Sequence, residues 1–258
     1  MMHTRPTSLF TRAKRFIALI FWLIQTTWLL ARLRPEHSAA AQEAIKKVSW
    51  RLLRVLNVRL NVQGDIATQT VLVTGNHISW LDIFALNAVL PSSFIAKQEI
   101  RRWPLIGKLA ANIGTTFIDR TSRKDTNSIV LAVNQSLANG QSVCFFPEAQ
   151  TSDGMSVLPF KAALFQSAID TDTPIAAFAL RYYDADGKRS SQPSYVGDTS
   201  LFESLWQILA MQSIEIRVDF LNLQTALGDR FETANQIQQQ IALIVASDSS
   251  VLASNPNA

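Results

Sequence analysis

The stretch Thr74-Gly75-Asn76-His77-Ile78-Ser79-Trp80-Leu81-Asp82-Ile83-Phe84 decides how the rest of the chain is read. It is entered from Val71-Leu72-Val73, an apolar run suited to a buried strand. It is left through Leu81, Ile83, Phe84, Ala85 and Leu86, a run better suited to a helix. A histidine and a carboxylate therefore stand five residues apart at the carboxyl end of a strand. On one continuous helix they would point roughly 140° away from each other, because each residue turns about 100°. A helix that starts after His77 removes the difficulty. Ser79 is then the N-cap, Asp82 stands three positions on as the acid of a capping box, and His77 folds back from the loop toward it. That arrangement makes a base with its orienting acid. The bland alternative is a capping carboxylate beside an ordinary loop histidine, and spacing alone leaves both open.

Outward from this stretch the pattern alternates. Strands are expected over 56–62, 70–74, 93–97, 115–119, 143–146, 175–181 and 213–220. Helices are expected over 79–90, 104–112, 125–139, 160–170, 201–211 and 230–245, with Gly140 closing the third of these. Strands alternating with helices predict an α/β fold, a mixed and mostly parallel sheet covered by helices on both faces. Such sheets bind ligands outside the carboxyl ends of their strands, which is where His77 falls.

Before this domain the chain has a different character. Residues 1–60 hold eleven Lys or Arg against only Glu36 and Glu43, so the remainder of a chain whose total is +4 is mildly acidic. Residues 16–31 carry no charge, yet as a helix they reach only about 24 Å, short of a hydrocarbon core of about 30 Å. Basic residues flank both ends, Arg12, Lys14 and Arg15 before, Arg32 and Arg34 after. After Pro35 a second helix over 39–56 mixes apolar positions at helical spacing with Lys46, Lys47, Trp50, Arg51 and Arg54. The expected organisation is a pair of basic membrane-anchoring helices in 1–56, a catalytic domain in 57–246 and a disordered tail in 247–258. The partner for the basic arm is an anionic membrane surface, at the cytoplasmic face of the inner (plasma) membrane, rather than nucleic acid. A lone cysteine, Cys144, excludes an internal disulfide and cannot build a metal site by itself. Neither GxGxxG nor GxxxxGK[ST] occurs, so no nucleotide loop is visible.

Three further strand ends carry polar groups. Lys97 ends Phe94-Ile95-Ala96-Lys97, Asp119 and Arg120 end the run after Gly114, and Glu148 follows Phe145-Phe146-Pro147. Lys97 and Arg120, each at the end of an apolar strand, suit the binding of a phosphate or carboxylate.

On these residues the chain resembles the lysophosphatidic acid acyltransferase family of glycerolipid acyltransferases. The family's NHxxxxD motif is matched by Asn76, His77 and Asp82, and its second motif by Gly114, Phe117, Ile118 and Arg120. The third motif, usually Phe-Pro-Glu-Gly-Thr-Arg-Ser, reads Phe146-Pro147-Glu148-Ala149-Gln150-Thr151-Ser152, and a Pro-centred fourth is similar to Thr173-Pro174-Ile175-Ala176. The likeness covers roughly residues 55–185. It implies the glycerolipid acyltransferase fold and acyl transfer from acyl-CoA or acyl carrier protein to the hydroxyl of a lyso-lipid. It implies no metal, and no cofactor beyond that co-substrate.

The resemblance implies His77 as general base and Asp82 as its partner, with Gly114, Arg120 and Glu148 in substrate binding, and Lys97 joins them as the strand-end cation noted above. Backbone N–H groups near Glu148–Gln150 are expected to meet the oxyanion. Thr151 stands where the family carries an arginine commonly assigned to the acceptor phosphate. The acceptor is therefore either 1-acylglycerol-3-phosphate held by fewer cations, or a lyso-lipid with another head group, such as lyso-ornithine lipid. Competing classes are a thioesterase, a membrane-binding protein without turnover, and a nucleic-acid binder.

Overall fold

Nine consecutive residues, Ile175–Tyr183, are all buried, and the architecture turns on the strand they form. A strand buried on both faces must be covered by other elements on each side, and alternate residues must serve different cores. The computed structural model describes residues 6–32, 39–97, 101–102, 107, 115–118 and 124–251. Among these, the order begins α1 (Leu9–Arg32), α2 (Ala39–Val55), β1 (Val58–Gln63), β2 (Leu72–Gly75), α3 (Leu81–Val89), β3 (Ser93–Lys97) and β4 (Thr116–Ile118). It continues with α4 (Lys124–Ala138), β5 (Val143–Phe145), a 3-10 turn (Ala163–Phe165), α5 (Gln166–Thr171) and β6 (Ile175–Tyr183). It ends with α6 (Leu201–Ala210), β7 (Ile214–Phe220) and α7 (Arg230–Val251).

The strands form one sheet in the order β1-β7-β6-β2-β5-β3-β4. β6, β2, β5, β3 and β4 are mutually parallel, β7 runs antiparallel to β6, and β1 is parallel to β7. Phe178, Leu180 and Tyr182 of β6 face a core shared with Leu52 and Leu53 of α2, Leu81 and Leu86 of α3, and Ile208 of α6. Ala177 and Ala179 face the other core, with Val133 and Leu137 of α4 and Ile237 and Ile241 of α7. The chain leaves β2 toward β3 on one side, and leaves β5 toward β6 on the other. The carboxyl end of β2 therefore opens at a switch point of the sheet.

Several boundaries differ from expectation for local reasons. Ser79 does not cap α3: Trp80 holds the N-cap position and makes no side-chain cap bond. The helix expected over 160–170 begins as the 3-10 turn and becomes α-helical only at Gln166. The last helix continues to Val251, so residues 247–251, expected in a tail, are helical, and 252–258 lie outside the described residues. The helix expected over 104–112 also falls outside them, apart from residue 107. Gly140 closes α4 with φ +77, Gln141 N–H donating to the Ser136 carbonyl at 3.0 Å and Gly140 N–H to that of Leu137 at 3.0 Å. This is the bond pair of a Schellman motif.

The first helix is built into the fold. Trp22 Nε1 donates to the Val48 carbonyl at 3.0 Å, and its ring meets Phe84 edge-on at 5.9 Å. Thr7 N–H donates to the Ala210 carbonyl at 2.8 Å, and the Arg15 guanidinium donates to the carbonyls of Leu209, Met211 and Gln212. Burial lowers the Arg15 pKa. The opposite face of α1 exposes Leu9, Phe10, Ile17, Phe21, Ile24 and Trp28. Among the described residues no helix is long and apolar enough to cross a membrane.

Candidate active site

The site forms where β2 leaves the sheet. Gly75 is the last residue of β2, and a Cβ there would lie 2.3 Å from the Phe178 ring and 2.4 Å from its carbonyl oxygen, so no side chain fits. Asn76 then replaces the backbone pairing that ends at Gly75. Its Nδ2 donates to the Leu180 carbonyl at 3.0 Å, and its Oδ1 accepts from Leu180 N–H at 2.7 Å. Buried and fully engaged with β6, Asn76 holds the strand end and turns the chain toward His77.

His77 Nδ1 lies 2.8 Å from Asp82 Oδ2. The same oxygen accepts the N–H groups of Ile78 at 2.7 Å and Ser79 at 2.9 Å. Asp82, the second residue of α3, thus binds the N–H groups just ahead of the helix much as the acid of a capping box does, while Ser79 Oγ makes no reciprocal bond. Asp82 Oδ1 accepts from the Tyr182 hydroxyl at 2.5 Å. Because an ionised carboxylate only accepts, Nδ1 is the ring nitrogen that donates, and in the neutral tautomer this selects, Nε2 carries the lone pair. The Asp82 side chain is fully buried, whereas that of His77 is 18% exposed, so the imidazole is reachable and its partner is not.

The third motif packs directly on this pair. The Phe146 ring stacks on the imidazole, with centroids 3.8 Å apart and planes 6° from parallel. The His77 carbonyl accepts from Ser152 N–H at 2.7 Å and from Ser152 Oγ at 3.2 Å. Glu148 is buried. Its Oε1 accepts from Leu158 N–H at 3.1 Å, and its Oε2 makes a long contact of 3.4 Å with His77 N–H. Burial pushes the Glu148 carboxyl up to about 7, outweighing those N–H donors, and the nearby Asp82 charge raises it further. Ala149 adopts φ +61, a left-handed conformation that glycine takes without strain. Its N–H donates to the Phe146 carbonyl at 3.1 Å, which turns it away from the oxyanion role expected for this segment. The Thr151 hydroxyl donates to the Tyr195 carbonyl, so position 151 ties two loops together. Burial pushes the Cys144 thiol well up, the Asp82 charge adding to it, as befits an inert strand cysteine.

The structure therefore brings His77, Asp82 and Glu148 together. Lys97 ends β3 in register with Ile118 of β4, but its side chain lies outside the described residues, as do Gly114 and Arg120. Among the described residues no group of three His, Cys, Asp or Glu could hold a metal ion. Tyr182 was invisible to sequence reasoning, because it is one apolar-run residue of β6, 100 positions from its partner. Phe146 and Ser152 lay within a recognised motif, but their contacts with His77 needed the sheet order to be known.

Residues 58–181, from the start of β1 to within two residues of the end of β6, match the Acyltransferase family model. Over 254 residues the chain is 44% identical to a 1-acyl-sn-glycerol-3-phosphate acyltransferase of Neisseria meningitidis, covering 97% of this chain and 99% of that protein. The chain belongs to the acyltransferase family. This acyltransferase is also 31% identical to a lyso-ornithine lipid O-acyltransferase of Pseudomonas aeruginosa, over 91% of its own length and 92% of the relative's. In fold the acyltransferase is similar to the crystal structure of the 1-acyl-sn-glycerophosphate acyltransferase from Thermotoga maritima. The TM-score is 0.71 at 16% identity, with 94% of this chain and 96% of that one covered.

Proposed function

We propose that this acyltransferase moves a fatty acyl group from a thioester, acyl-CoA or acyl carrier protein, to the free hydroxyl of 1-acylglycerol-3-phosphate, giving phosphatidic acid. The observation that carries the reading is the 2.8 Å pair of His77 Nδ1 and fully buried Asp82, the imidazole side chain itself remaining 18% exposed. Nε2 takes the proton of the acceptor hydroxyl as its oxygen attacks the thioester carbonyl. Asp82 stabilises the imidazolium and keeps Nδ1 protonated, as the acid does in a hydrolase triad. Collapse of the tetrahedral intermediate breaks the C–S bond, and the imidazolium returns the proton to the departing thiolate. No acyl-enzyme is required. Lys97 and Arg120 are assigned to the acceptor phosphate: the β3–β4 register sets Lys97 beside Ile118, two positions before Arg120 in the sequence. Glu148 positions the loop that carries His77.

The relative at 44% identity supports 1-acylglycerol-3-phosphate as acceptor. Lyso-ornithine lipid is the second reading, favoured by Thr151, whose hydroxyl is engaged with Tyr195 where the family carries an arginine. We assign the outward apolar face of α1, together with Lys46, Lys47, Trp50, Arg51 and Arg54 of α2, to the cytoplasmic leaflet of the inner membrane. The chain is seated on that leaflet rather than threaded through it. The deciding experiment is thiol release by purified protein with acyl-CoA and, separately, acyl carrier protein, against lyso-lipids bearing phosphate and amino-acid head groups. Release with 1-acylglycerol-3-phosphate that His77→Ala abolishes is the expected result. Release without any acceptor would mean a thioesterase, and none with any acceptor would mean a protein without turnover.

A further inference from the structure

The Asp82 carboxylate has two oxygens with different company. Oδ2 faces the site and takes the imidazole and two backbone N–H groups, all from residues within five positions. Oδ1 points into the core, where the Tyr182 hydroxyl donates to it at 2.5 Å from the middle of the sheet. Tyr182 is 1% exposed and stands at the end of β6, two residues beyond Leu180, the residue that pairs with Asn76. One strand thus fixes both ends of the motif loop, Asn76 through its backbone and Asp82 through this phenol. We propose that Tyr182 is a positioning residue for acyl transfer, locking the rotation of the Asp82 carboxylate and moderating the negative charge that His77 feels.

The chemistry follows from what the phenol can and cannot do. Its oxygen is far from solvent, and it touches Asp82 rather than the imidazole, so it acts only through the carboxylate. Burial, with the Asp82 charge adding to it, holds its pKa well above the ordinary value, so it remains a donor throughout the working range. A hydrogen bond to the ionised acid disperses charge from the carboxylate, leaving less of it to hold a proton on the imidazole. Removing the hydroxyl should therefore favour the imidazolium before substrate binds. The other ionisable groups near this carboxylate among the described residues are Cys144 of β5 and Glu148 of the loop after it. Neither donates a hydrogen bond to Oδ1.

The test is Tyr182→Phe in the full chain, with kcat/KM for thiol release followed from pH 5 to 9. The expected result is an acidic limb moved to higher pH by about half a unit or more, with kcat lowered about tenfold. The acceptor KM should be unchanged. A second variant carrying 3-fluorotyrosine at position 182 offers a stronger donor, and its acidic limb should move to lower pH. Limbs moving in these opposite directions uphold the proposal; limbs that stay in place overturn it, even if Tyr182→Phe is slower or melts earlier, because a purely structural role would change rate and stability alone. The proposal rests on His77 being the base, and the two can fail separately. An active His77→Ala enzyme would remove the base, whereas an inactive one alongside unmoved limbs would remove only the role of Tyr182.

Discussion

Replacing Asp82 by Asn is the most informative single change, because the structure separates the charge of this residue from its shape. The amide oxygen can take the place of Oδ2 and still accept from the N–H groups of Ile78 and Ser79 at 2.7 and 2.9 Å. The amide nitrogen then faces the Tyr182 hydroxyl, which rotates to accept. Loop geometry survives and the carboxylate charge is lost. An imidazolium centred roughly 4 Å from a carboxylate gains about 4 kcal/mol at the effective dielectric typical of proteins. Because about 1.4 kcal/mol corresponds to a factor of ten in rate, the variant should turn over roughly a thousandfold more slowly. The assay is continuous thiol release at saturating donor and acceptor, with circular dichroism and thermal melting as controls for folding. A well-folded Asp82→Asn enzyme retaining more than about a tenth of the wild-type rate would show that the carboxylate is not the partner of a catalytic imidazolium.

Three other outcomes are expected. Glu148, held at about 7 by burial against an ordinary value of 4.5, binds more protons folded than unfolded between those values. Its contribution is present at low pH and lost as pH rises toward 7, so Glu148→Gln should flatten that part of the urea-midpoint profile, on the order of 3 kcal/mol at most. An identical pH profile in the two proteins would contradict the assigned burial. Ala149→Gly should stabilise the fold by about 1 kcal/mol, since φ +61 strains an L-residue and glycine's extra unfolded freedom offsets only part of the relief. Chemical denaturation decides this, and a lower midpoint in the variant would reject it. Phe21→Asp combined with Ile24→Asp, both on the exposed face of α1, should release the protein from sedimenting anionic vesicles while preserving turnover of a dispersed short-chain acceptor. Unaltered sedimentation would exclude that face as the membrane contact.

Much of this architecture could be read locally. Apolar runs of strand length alternate with helical periods, and each of the seven expected strands has its counterpart in the sheet. The differences cluster where long-range packing overrides short-range signals. Ser79 has the right chemistry for an N-cap, but the Asp82 carboxylate takes its N–H while the serine hydroxyl is buried. The segment before Phe165 reads as helix by composition, yet Glu148 and Gln238 accept the N–H groups of Leu158 and Phe160, and the backbone stays irregular until the 3-10 turn. Residues 16–31 read as a free apolar anchor, whereas Trp22 and Thr26 are buried against the domain, leaving one face of the helix outward.

For the site the division has a simple origin. His77 and Asp82 are five residues apart across a strand-to-helix loop, so local geometry alone limits them to a few arrangements, and the sequence could name the pair. Their neighbours come from elsewhere. Phe146 lies one residue beyond β5, and Leu180 and Tyr182 lie on β6; they reach the loop only because those strands flank β2 in parallel register. Hydrophobic periodicity tells a strand which face is buried but not which strand will lie beside it. The imidazole and the carboxylate were therefore written into one short segment of chain, while the ring that stacks on the imidazole and the phenol that holds the carboxylate were chosen by the order of the sheet.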